Sequence, residues 1–361
     1  MFELFSFNPS AWISAKKIKF VNCNIEGTAY PNSYFLSSTS NFVGPDAIDI
    51  TSSKLINCTK FIENPKELQI NNCIIINPGQ DFLQCGFSSI AATIENCLFE
   101  YKDTPDFIDL EKGCLDAHKI TLSHCSFEDI PKKNSWWWGA FIKGKYIHFQ
   151  FCNFNKCHTL CINKGEGEIT AEWCVYNNCS KIFSADQQEK LILDINHCQF
   201  NECYHQLILC VKSNISDCEF NNWIGDDITS PQGTLLCIES GKPECNSNHI
   251  QRCTFNNANA NLNFLIAAKT MYSKTTSYVA NVHNCTFNNC ITKRESGKLI
   301  KHYAPYQGAF KITKDIQVIN SDNGKYTSDK VAYTVMETTP LGEKIGCSLS
   351  SDISISSTTN H

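Results

Sequence analysis

The sequence predicts an all-β protein, folded as a single right-handed parallel β-helix (a β-solenoid) of roughly 12 coils. Three observations support this prediction. A motif of the form apolar-x-x-Cys-x-aromatic recurs along the 361-residue chain, its spacing suits short strands, and asparagine is frequent where one strand would turn into the next. Helical periodicity is poor, so a stack of strands and corners is favoured over a helical repeat.

The motif recurs with a base period of about 20–28 residues, and some later intervals are longer. Leucine-rich repeats have a similar period, but their L-x-x-L-x-L pattern is absent, and propeller blades need longer units. We call the cysteine of each copy the anchor cysteine. The anchor cysteines are Cys23, Cys73, Cys97, Cys125, Cys152, Cys174, Cys198, Cys218, Cys253 and Cys285.

Each copy predicts a corner just before its anchor cysteine. Around Cys198, for example, Cys198 and Phe200 share one face of a strand, whereas Ile195 has the wrong parity to share it. A bend resolves this conflict, and asparagine suits a bend because it tolerates left-handed backbone. We therefore expect a strand, a two-residue corner, a strand and a return segment in each coil. Asparagine precedes the anchor cysteine at Asn22, Asn72, Asn96 and Asn284.

The anchor cysteine and the aromatic residue after it are predicted to face the core. Cysteine packs as a small hydrophobe. Rings about 4.8 Å apart along the stack can pack with an offset, worth about 0.5–1.5 kcal/mol per pair. The predicted core ladder is Cys97, Phe99, Cys125, Phe127, Cys152, Phe154, Cys174, Tyr176, Cys198, Phe200, Cys218, Phe220, Cys253, Phe255, Cys285 and Phe287.

The 22 cysteines are expected to be mostly free, buried thiols. Equivalent residues of stacked coils have parallel Cα–Cβ bonds, so their Cβ atoms stay about 4.8 Å apart, beyond the usual disulfide range of about 3.5–4.5 Å. A scaffold with several disulfides is the alternative. Cysteines outside the anchor positions could still pair, such as Cys203, Cys210, Cys237 and Cys245.

No metal site or cofactor is predicted. A second cysteine follows the motif at only some copies, and Ile130, Trp223 and Ala258 take its place elsewhere. A core position tolerates such exchanges, whereas a metal ligand does not. The densest group of possible zinc ligands is either a zinc site or a set of packed thiols beside a surface histidine, and the packed thiols are favoured. That group is Cys152, Cys157, His158 and Cys161.

No catalytic residue is predicted. Two aspartate-bearing stretches, GPDAIDI (44–50) and IGDDI (224–228), resemble strings in polygalacturonases, where acid and base lie about one coil apart. Here Asp46 lies far along the sequence from Asp226 and Asp227, and the Gly-His-Gly and Arg-Ile-Lys partners are missing. We expect these aspartates to lie in polar turns. Serine-hydrolase, P-loop, zincin and dinucleotide motifs are also absent.

The feature that most suggests ligand binding is NSWWWGAF, which holds three of the six tryptophans. Side chains alternate along a strand, so at least one indole is expected to face solvent. Exposed aromatic rings bind sugars or partner proteins, although the rings could also pack under a neighbouring loop. The candidate ligand-binding residues are Trp136, Trp137 and Trp138.

Composition narrows the remaining choices. The net charge of −5 gives no basic field for nucleic acid, and no apolar run is long enough for a transmembrane helix. The N-terminal stretch does not read as a signal peptide. We expect residues 1–17 to be an N-terminal cap or truncated start, 18–322 to form the β-helix, and the Ser/Thr-rich segment 323–361 to be a C-terminal cap or partly disordered.

The Cys-x-Phe-Asn-x-Cys units resemble the right-handed parallel β-helix repeat proteins of trichomonad protozoa, distantly similar to chlamydial polymorphic outer-membrane proteins. The resemblance covers about residues 18–322, although the Asn directly follows the aromatic residue and the G-G-A-[ILV] element is absent. It implies a secreted or cell-surface location and a host-cell glycan or protein as partner. We therefore expect a non-enzymatic structural or adhesion rod. The alternative is a polysaccharide-active enzyme, a lyase or glycoside hydrolase on the same scaffold.

Overall fold

The chain divides into two compact units, residues 1–147 and 148–361. All regular structure in the described part of the chain is β-strand. The computed structural model describes residues 16–27, 36–37, 46–84, 91–102, 114–131, 140–158, 160–180, 182–185, 191–204, 207–209, 212–223, 236–240, 248–260, 264–270, 278–292, 298–302, 309–312, 317–319, 337–338, 344–345 and 354–355.

The first unit repeats one order of strands: a longer strand, a three-residue strand and, in some coils, a two-residue strand. The strands that begin in it are β1 (Lys17–Val21), β2 (Asn24–Glu26), β3 (Leu36–Ser37), β4 (Ala47–Thr51), β5 (Lys54–Ile56), β6 (Ile62–Glu63), β7 (Glu67–Asn71), β8 (Ile74–Ile76), β9 (Leu83–Gln84), β10 (Ala91–Glu95), β11 (Leu98–Glu100), β12 (Leu115–Ser123), β13 (Ser126–Glu128) and β14 (Ile142–Gln150).

Equivalent strands of the first unit pair in parallel. One sheet has the order β1-β4-β7-β10-β12, a second has the order β2-β5-β8-β11-β13, and the short strands β3, β6 and β9 form a third ladder that ends on β12. The register keeps like residues in rows, since Ile50 pairs with Ile70 and Ile94 with Leu122. All four side chains are buried.

The second unit repeats the same order with longer intervals between some coils. Its strands are β15 (Asn153–Asn155), β16 (Cys161–Glu172), β17 (Val175–Asn177), β18 (Phe183–Ala185), β19 (Leu191–Asn196), β20 (Gln199–Asn201), β21 (Leu207–Leu209), β22 (Lys212–Ser216), β23 (Glu219–Asn221), β24 (Leu236–Ser240), β25 (Asn248–Gln251), β26 (Thr254–Asn256), β27 (Asn259–Ala260), β28 (Phe264–Thr270), β29 (Tyr278–His283), β30 (Thr286–Asn288), β31 (Ile291–Thr292), β32 (Lys298–His302), β33 (Ala309–Ile312), β34 (Gln317–Ile319), β35 (Glu337–Thr338), β36 (Lys344–Ile345) and β37 (Ser354–Ile355).

The second unit stacks its strands in the order β16-β19-β22-β25-β29-β33, which we call the main sheet. The three-residue strands follow β15-β17-β20-β23-β26-β30-β34-β37, and a further sheet has the order β21-β24-β28-β32. These pairings are parallel, whereas β35 and β36, in the predicted C-terminal cap, pair antiparallel. The predicted fold class, an all-β parallel solenoid, is confirmed.

The backbone turns through left-handed residues at two corners of the repeat. The residue before the anchor cysteine has a positive φ, as at Asn96 (53°) and His197 (53°), so the bend inferred from side-chain parity lies there. A second positive φ follows the three-residue strand, as at Asn178 (51°) and Asn257 (51°). Asparagine suits both places because its short polar side chain tolerates this conformation.

The aromatic rings of the second unit form a continuous stack in the core. Successive centroids lie 4.8 Å apart and the rings are nearly parallel, with interplanar angles from 3° to 7°. This is the strand spacing of a parallel sheet, so each coil adds one ring. The stacked rings are Phe154, Tyr176, Phe200, Phe220, Phe255 and Phe287.

The cysteines whose side chains the structure describes form no disulfide with one another, and all of them except Cys23 are buried. The Sγ of Cys198 lies 3.3 Å from its own corner carbonyl, Asn196 O, and 3.4 Å from Ala171 O of the preceding coil. The thiol therefore donates its weak hydrogen bond where the strand bends. Burial raises the pKa of the Cys161, Cys198 and Cys218 thiols, which favours the neutral form.

Candidate functional site

The outward side of the main sheet in the second unit carries a dense set of polar groups. Along β16 and β19 the inward residues are Ile169, Ala171, Leu193 and Ile195, all buried. The residues between them point the opposite way because side chains alternate along a strand. We call these outward residues of β16, β19 and β22 the outer face: Glu168, Thr170, Glu172, Ile192, Asp194, Asn196, Lys212, Asn214 and Ser216.

The parallel register sorts the outer face into rows that cross the strands. Glu172 pairs with Asn196, which pairs with Ser216. Thr170 pairs with Asp194, and Asp194 pairs with Asn214.

Hydrogen bonds run along and between these rows. Asn196 Nδ2 donates to Asp194 Oδ1 at 2.8 Å, and Asn214 Nδ2 donates to the same oxygen at 2.9 Å. Ser216 Oγ hydrogen-bonds Asn196 Oδ1, and His148 Nδ1 hydrogen-bonds Thr170 Oγ1. The side chains of the face are therefore held by one another.

Two carboxyl groups of the outer face lie diagonally on adjacent coils. Asp194 is on the strand next to Glu172 and is displaced from it by one outward position. A strand spacing of about 4.8 Å and a two-residue step of about 6.6 Å place their Cβ atoms about 8 Å apart. Both side chains are partly exposed. Gln150 Nε2 lies 3.5 Å from Glu172 Oε2.

An exposed aromatic edge runs beside these carboxyl groups. Phe151, Trp173 and His197 each precede an anchor cysteine, and each donates its backbone N–H to the next coil, Phe151 to Glu172 O at 3.0 Å and Trp173 to Asn196 O at 3.1 Å. The side chains of Phe151 and Trp173 are 47% and 52% exposed. The rings of Trp173 and His197 stack at 4.1 Å with an interplanar angle of 5°.

The aromatic edge stands on strained backbone. Phe151 has a φ of 52° and Trp173 a φ of 55°, at a corner where the first unit has Asn72 and Asn96. A left-handed backbone costs an ordinary residue roughly 1–2 kcal/mol, and bulky residues are rarely found there. Strain held by the surrounding structure points to a functional site. The fold itself therefore does not account for large exposed rings at these two positions.

In the two coils after that of His197, the residues directly before the anchor cysteine are Asp217 and Arg252, which form an ion pair. Arg252 binds Asp217 with both ends of its guanidinium group, with Nε–Oδ1 and NH2–Oδ2 distances of 2.7 Å. The hydrogen bond from Arg252 holds the pKa of the Asp217 carboxyl below its usual value. The positive charge of Arg252 is thus neutralised by its neighbour.

The residues singled out from the sequence are not among those of the outer face or the aromatic edge. Trp136, Trp137 and Trp138 lie outside the described residues, as do Asp226 and Asp227. Asp46 forms an ion pair with Lys66 at 2.5 Å, which fits the predicted polar turn. Sequence reasoning missed the outer face and the aromatic edge. Large aromatics directly before an anchor cysteine, in place of asparagine, were the signal that could have found the edge.

The cysteines weighed as zinc ligands occupy separate places in the coil. Cys152 and Cys157 flank β15, and Cys161 begins β16. His158 instead contacts hydroxyl groups: its Nδ1 lies 2.6 Å from Ser180 Oγ, and Tyr204 Oη lies 2.9 Å from Nδ1. His158, Ser180 and Tyr204 are bridged in parallel on successive coils. They form a polar ladder beside the core.

A solved enzyme structure is weakly similar to this chain. No protein-family model matches the chain, and no curated protein matches it. A polygalacturonase from Erwinia carotovora ssp. carotovora is similar over 83% of this chain and 95% of that chain, with 11% sequence identity and a TM-score of 0.38. A similarity of this size does not extend that enzyme's activity to this chain.

The comparison corrects the predicted function. The sequence predicted a non-enzymatic structural or adhesion rod, and a polysaccharide-active enzyme as the alternative. The similar solved chain is an enzyme of the alternative's class, so the prediction of a non-enzymatic rod was wrong on this finding. The surface and adhesion roles have no support. The resemblance to trichomonad and chlamydial repeat proteins reaches no further than the β-helix architecture.

Proposed function

We propose that the chain is a polysaccharide-active enzyme, a glycoside hydrolase whose two reacting carboxyl groups are Glu172 and Asp194. The observation that carries this proposal is their diagonal placement on adjacent coils beside the exposed rings of Phe151 and Trp173. Glycoside hydrolysis requires two carboxyl groups on either side of one glycosidic bond. The outer face supplies them on rigid strands, with amide groups around them.

The hydrogen bonds assign the two roles. Asp194 Oδ1 accepts two N–H hydrogen bonds, which hold this carboxyl group in place, and we assign it the role of general base. Glu172 is the general acid. It gives its proton to the glycosidic oxygen as the bond from that oxygen to the anomeric carbon breaks. A water adds to the anomeric carbon, its proton passes to Asp194, and solvent restores both groups.

The separation of the carboxyl groups predicts the stereochemical outcome. The Cβ atoms are about 8 Å apart by strand geometry, and hydrogen bonds to Gln150 and Asn214 draw the Glu172 and Asp194 carboxyl groups toward opposite neighbouring strands, not toward each other. Inverting enzymes hold their carboxyl groups about 6.5–9.5 Å apart, whereas retaining enzymes hold them about 5–5.5 Å apart. We therefore expect the anomeric configuration to be inverted.

The aromatic edge is the substrate-binding part of the proposal. The apolar face of a sugar ring stacks on exposed aromatic side chains, and Trp173 offers such a surface next to Glu172 in the sequence. Its stack with His197 holds the indole in one orientation.

Hydrolysis of a panel of polysaccharides by the purified chain tests the proposal, with new reducing ends as the readout. Glu172→Gln and Asp194→Asn are each expected to lower kcat by about 10²–10⁴-fold, because each removes one proton-transfer group. Glu219→Gln is the matched control, since Glu219 is an exposed carboxylate on β23 of the same unit. Cleavage of no polysaccharide, or equal activity of all three variants, would contradict the proposal.

A further inference from the structure

We propose that the substrate is an uncharged glycan and that Glu168 excludes polyuronates, an inference that rests on the proposed function. The outer face holds three carboxyl groups within two adjacent strands: Glu168 and the proposed general acid Glu172 on β16, and the proposed base Asp194 on β19. The like charges of the inference come from Glu168 and Asp194. A polyuronate carries one negative charge on every sugar. Bringing that chain onto this face would place like charges next to one another.

Two positive charges of the second unit, those of Arg252 and Lys212, are compensated elsewhere or set apart from Glu168. Arg252 is held by Asp217 through two hydrogen bonds of 2.7 Å, so its charge is already compensated. Lys212 lies on β22 in the same row as Glu168, and Ile192 of β19 stands between them. Like-charge contacts across an interface are the usual means of rejecting a wrong partner.

The remaining groups of the face match a neutral sugar. The amides of Asn196, Asn214 and Gln150 both donate and accept hydrogen bonds, as sugar hydroxyl groups do. Ile192, 38% exposed, and the ring of Trp173 supply apolar surface for the C–H faces of a sugar. A site that rejects a charged chain and retains amide and apolar contacts selects the uncharged polymer.

Glu168 is the residue that tests charge exclusion without touching the proposed catalytic pair. It lies on the outer face four residues before Glu172, and its backbone pairs with Ile192. Glu168→Lys reverses one charge at a partly exposed position, and Glu168→Gln removes it with little change of shape. Thermal unfolding of both variants checks that the coil is intact.

The experiment measures kcat/KM of the full chain on neutral polysaccharides (glucans, galactans, mannans, xylan and chitin) and on polygalacturonate and alginate. We expect cleavage of a neutral polymer at least 100-fold better than of either polyuronate. The ratio should shrink in Glu168→Gln and further in Glu168→Lys. It should also shrink at high salt, because salt screens exposed charges.

Two results would overturn the inference, and they are distinguishable. Cleavage of a polyuronate as fast as of any neutral polymer, still abolished by Glu172→Gln, would refute the substrate class and leave the glycoside hydrolase standing. Cleavage of no polymer would remove the proposed function and this inference together. A neutral preference that is unchanged in Glu168→Lys would refute the role given to Glu168.

Discussion

At the scale of single residues, the core contains a polar atom that the fold does not satisfy. Tyr176 is a fully buried ring in the aromatic stack, and its hydroxyl group has no hydrogen-bond partner among the described residues. The indole Nε1 of Trp223 is likewise buried with no hydrogen-bond partner among the described residues. An unsatisfied buried polar group costs about 1–3 kcal/mol relative to its hydrated state. The other stacked rings are phenylalanines, which carry no such cost.

Tyr176→Phe is therefore expected to stabilise the protein by about 1 kcal/mol, because it removes the unpaired hydroxyl and keeps the ring. Urea titration measures the change. Tyr204→Phe is the matched control, since the Tyr204 hydroxyl lies 2.9 Å from His158 Nδ1 and its removal should destabilise. A loss of stability in Tyr176→Phe as large as in Tyr204→Phe would show that the buried hydroxyl is satisfied.

The strained aromatic edge yields a second residue-scale prediction. Phe151→Asn should be more stable than Phe151→Ala by about 0.5–1 kcal/mol, because asparagine tolerates a φ of 52° better than alanine does. Both variants lose the same ring, so the comparison isolates the backbone preference. Equal urea midpoints for the two variants would show that this corner is not strained.

At the scale of elements, the aromatic stack binds neighbouring coils into one core. Phe200 lies 4.8 Å from both Tyr176 and Phe220, and the ring of Trp223 lies 6.1 Å from it. Phe200 is fully buried. Removing the Phe200 ring from the middle of the stack leaves a cavity bordered by three other rings, which the rigid sheet cannot close.

Phe200→Ala is expected to destabilise the protein by about 3–5 kcal/mol. Urea titration followed by circular dichroism measures the loss, and its transition can broaden because a lesion in a repeat array unfolds neighbouring coils first. Gln199→Ala, at the adjacent exposed position of β20, is the control and should change little. A loss below about 1 kcal/mol for Phe200→Ala would argue against the stack as a source of stability.

The repeat made the structure of each coil predictable from the sequence. The candidate site could not be predicted in the same way. Cys198, Phe200 and the bend before them follow from side-chain parity within a few residues. The second corner, as at Asn257, carries the same parity conflict, since Phe255 and Ala258 are three residues apart and both buried. It was missed because the residue after this corner changes between coils, as Cys290 and Ala258 show, so no repeated residue marks it. Glu172 and Asp194 come together only through the register of two coils, and intervals of variable length hide that register until the strands are paired.

At the scale of the whole molecule, the buried thiols with a raised pKa make stability depend on pH, whereas hydrogen bonds from neighbouring thiols lower the pKa of Cys97 and Cys179 to about 4. Burial raises the pKa of Cys161, Cys198, Cys218 and Cys253 in the folded state, while thiols of the unfolded chain titrate near pH 8.5. Below about pH 8.5 both states hold these protons and the thiols favour neither state. Above it the unfolded chain loses protons that the folded chain keeps, so stability falls.

The urea midpoint of the reduced protein is therefore expected to fall between about pH 7.5 and pH 9.5, with about 1.4 kcal/mol lost per thiol for each pH unit above the unfolded pKa. Cys161→Ala removes one such group and should make the pH dependence shallower by that amount. A midpoint that stays constant over this range would mean that the thiols are not buried in the folded state.

The spacing of the coils has a consequence for how such a chain can change. Phe200 and Phe220 are 20 residues apart and Phe220 and Phe255 are 35 apart, yet both pairs stack at 4.8 Å. The longer sequence between Trp223 and Asn248 therefore leaves the spacing of the stacked core rings unchanged. β24 lies within this interval and pairs with β21 and β28, so a foreign segment or binding module inserted outside β24 is expected to leave the register of the neighbouring coils intact.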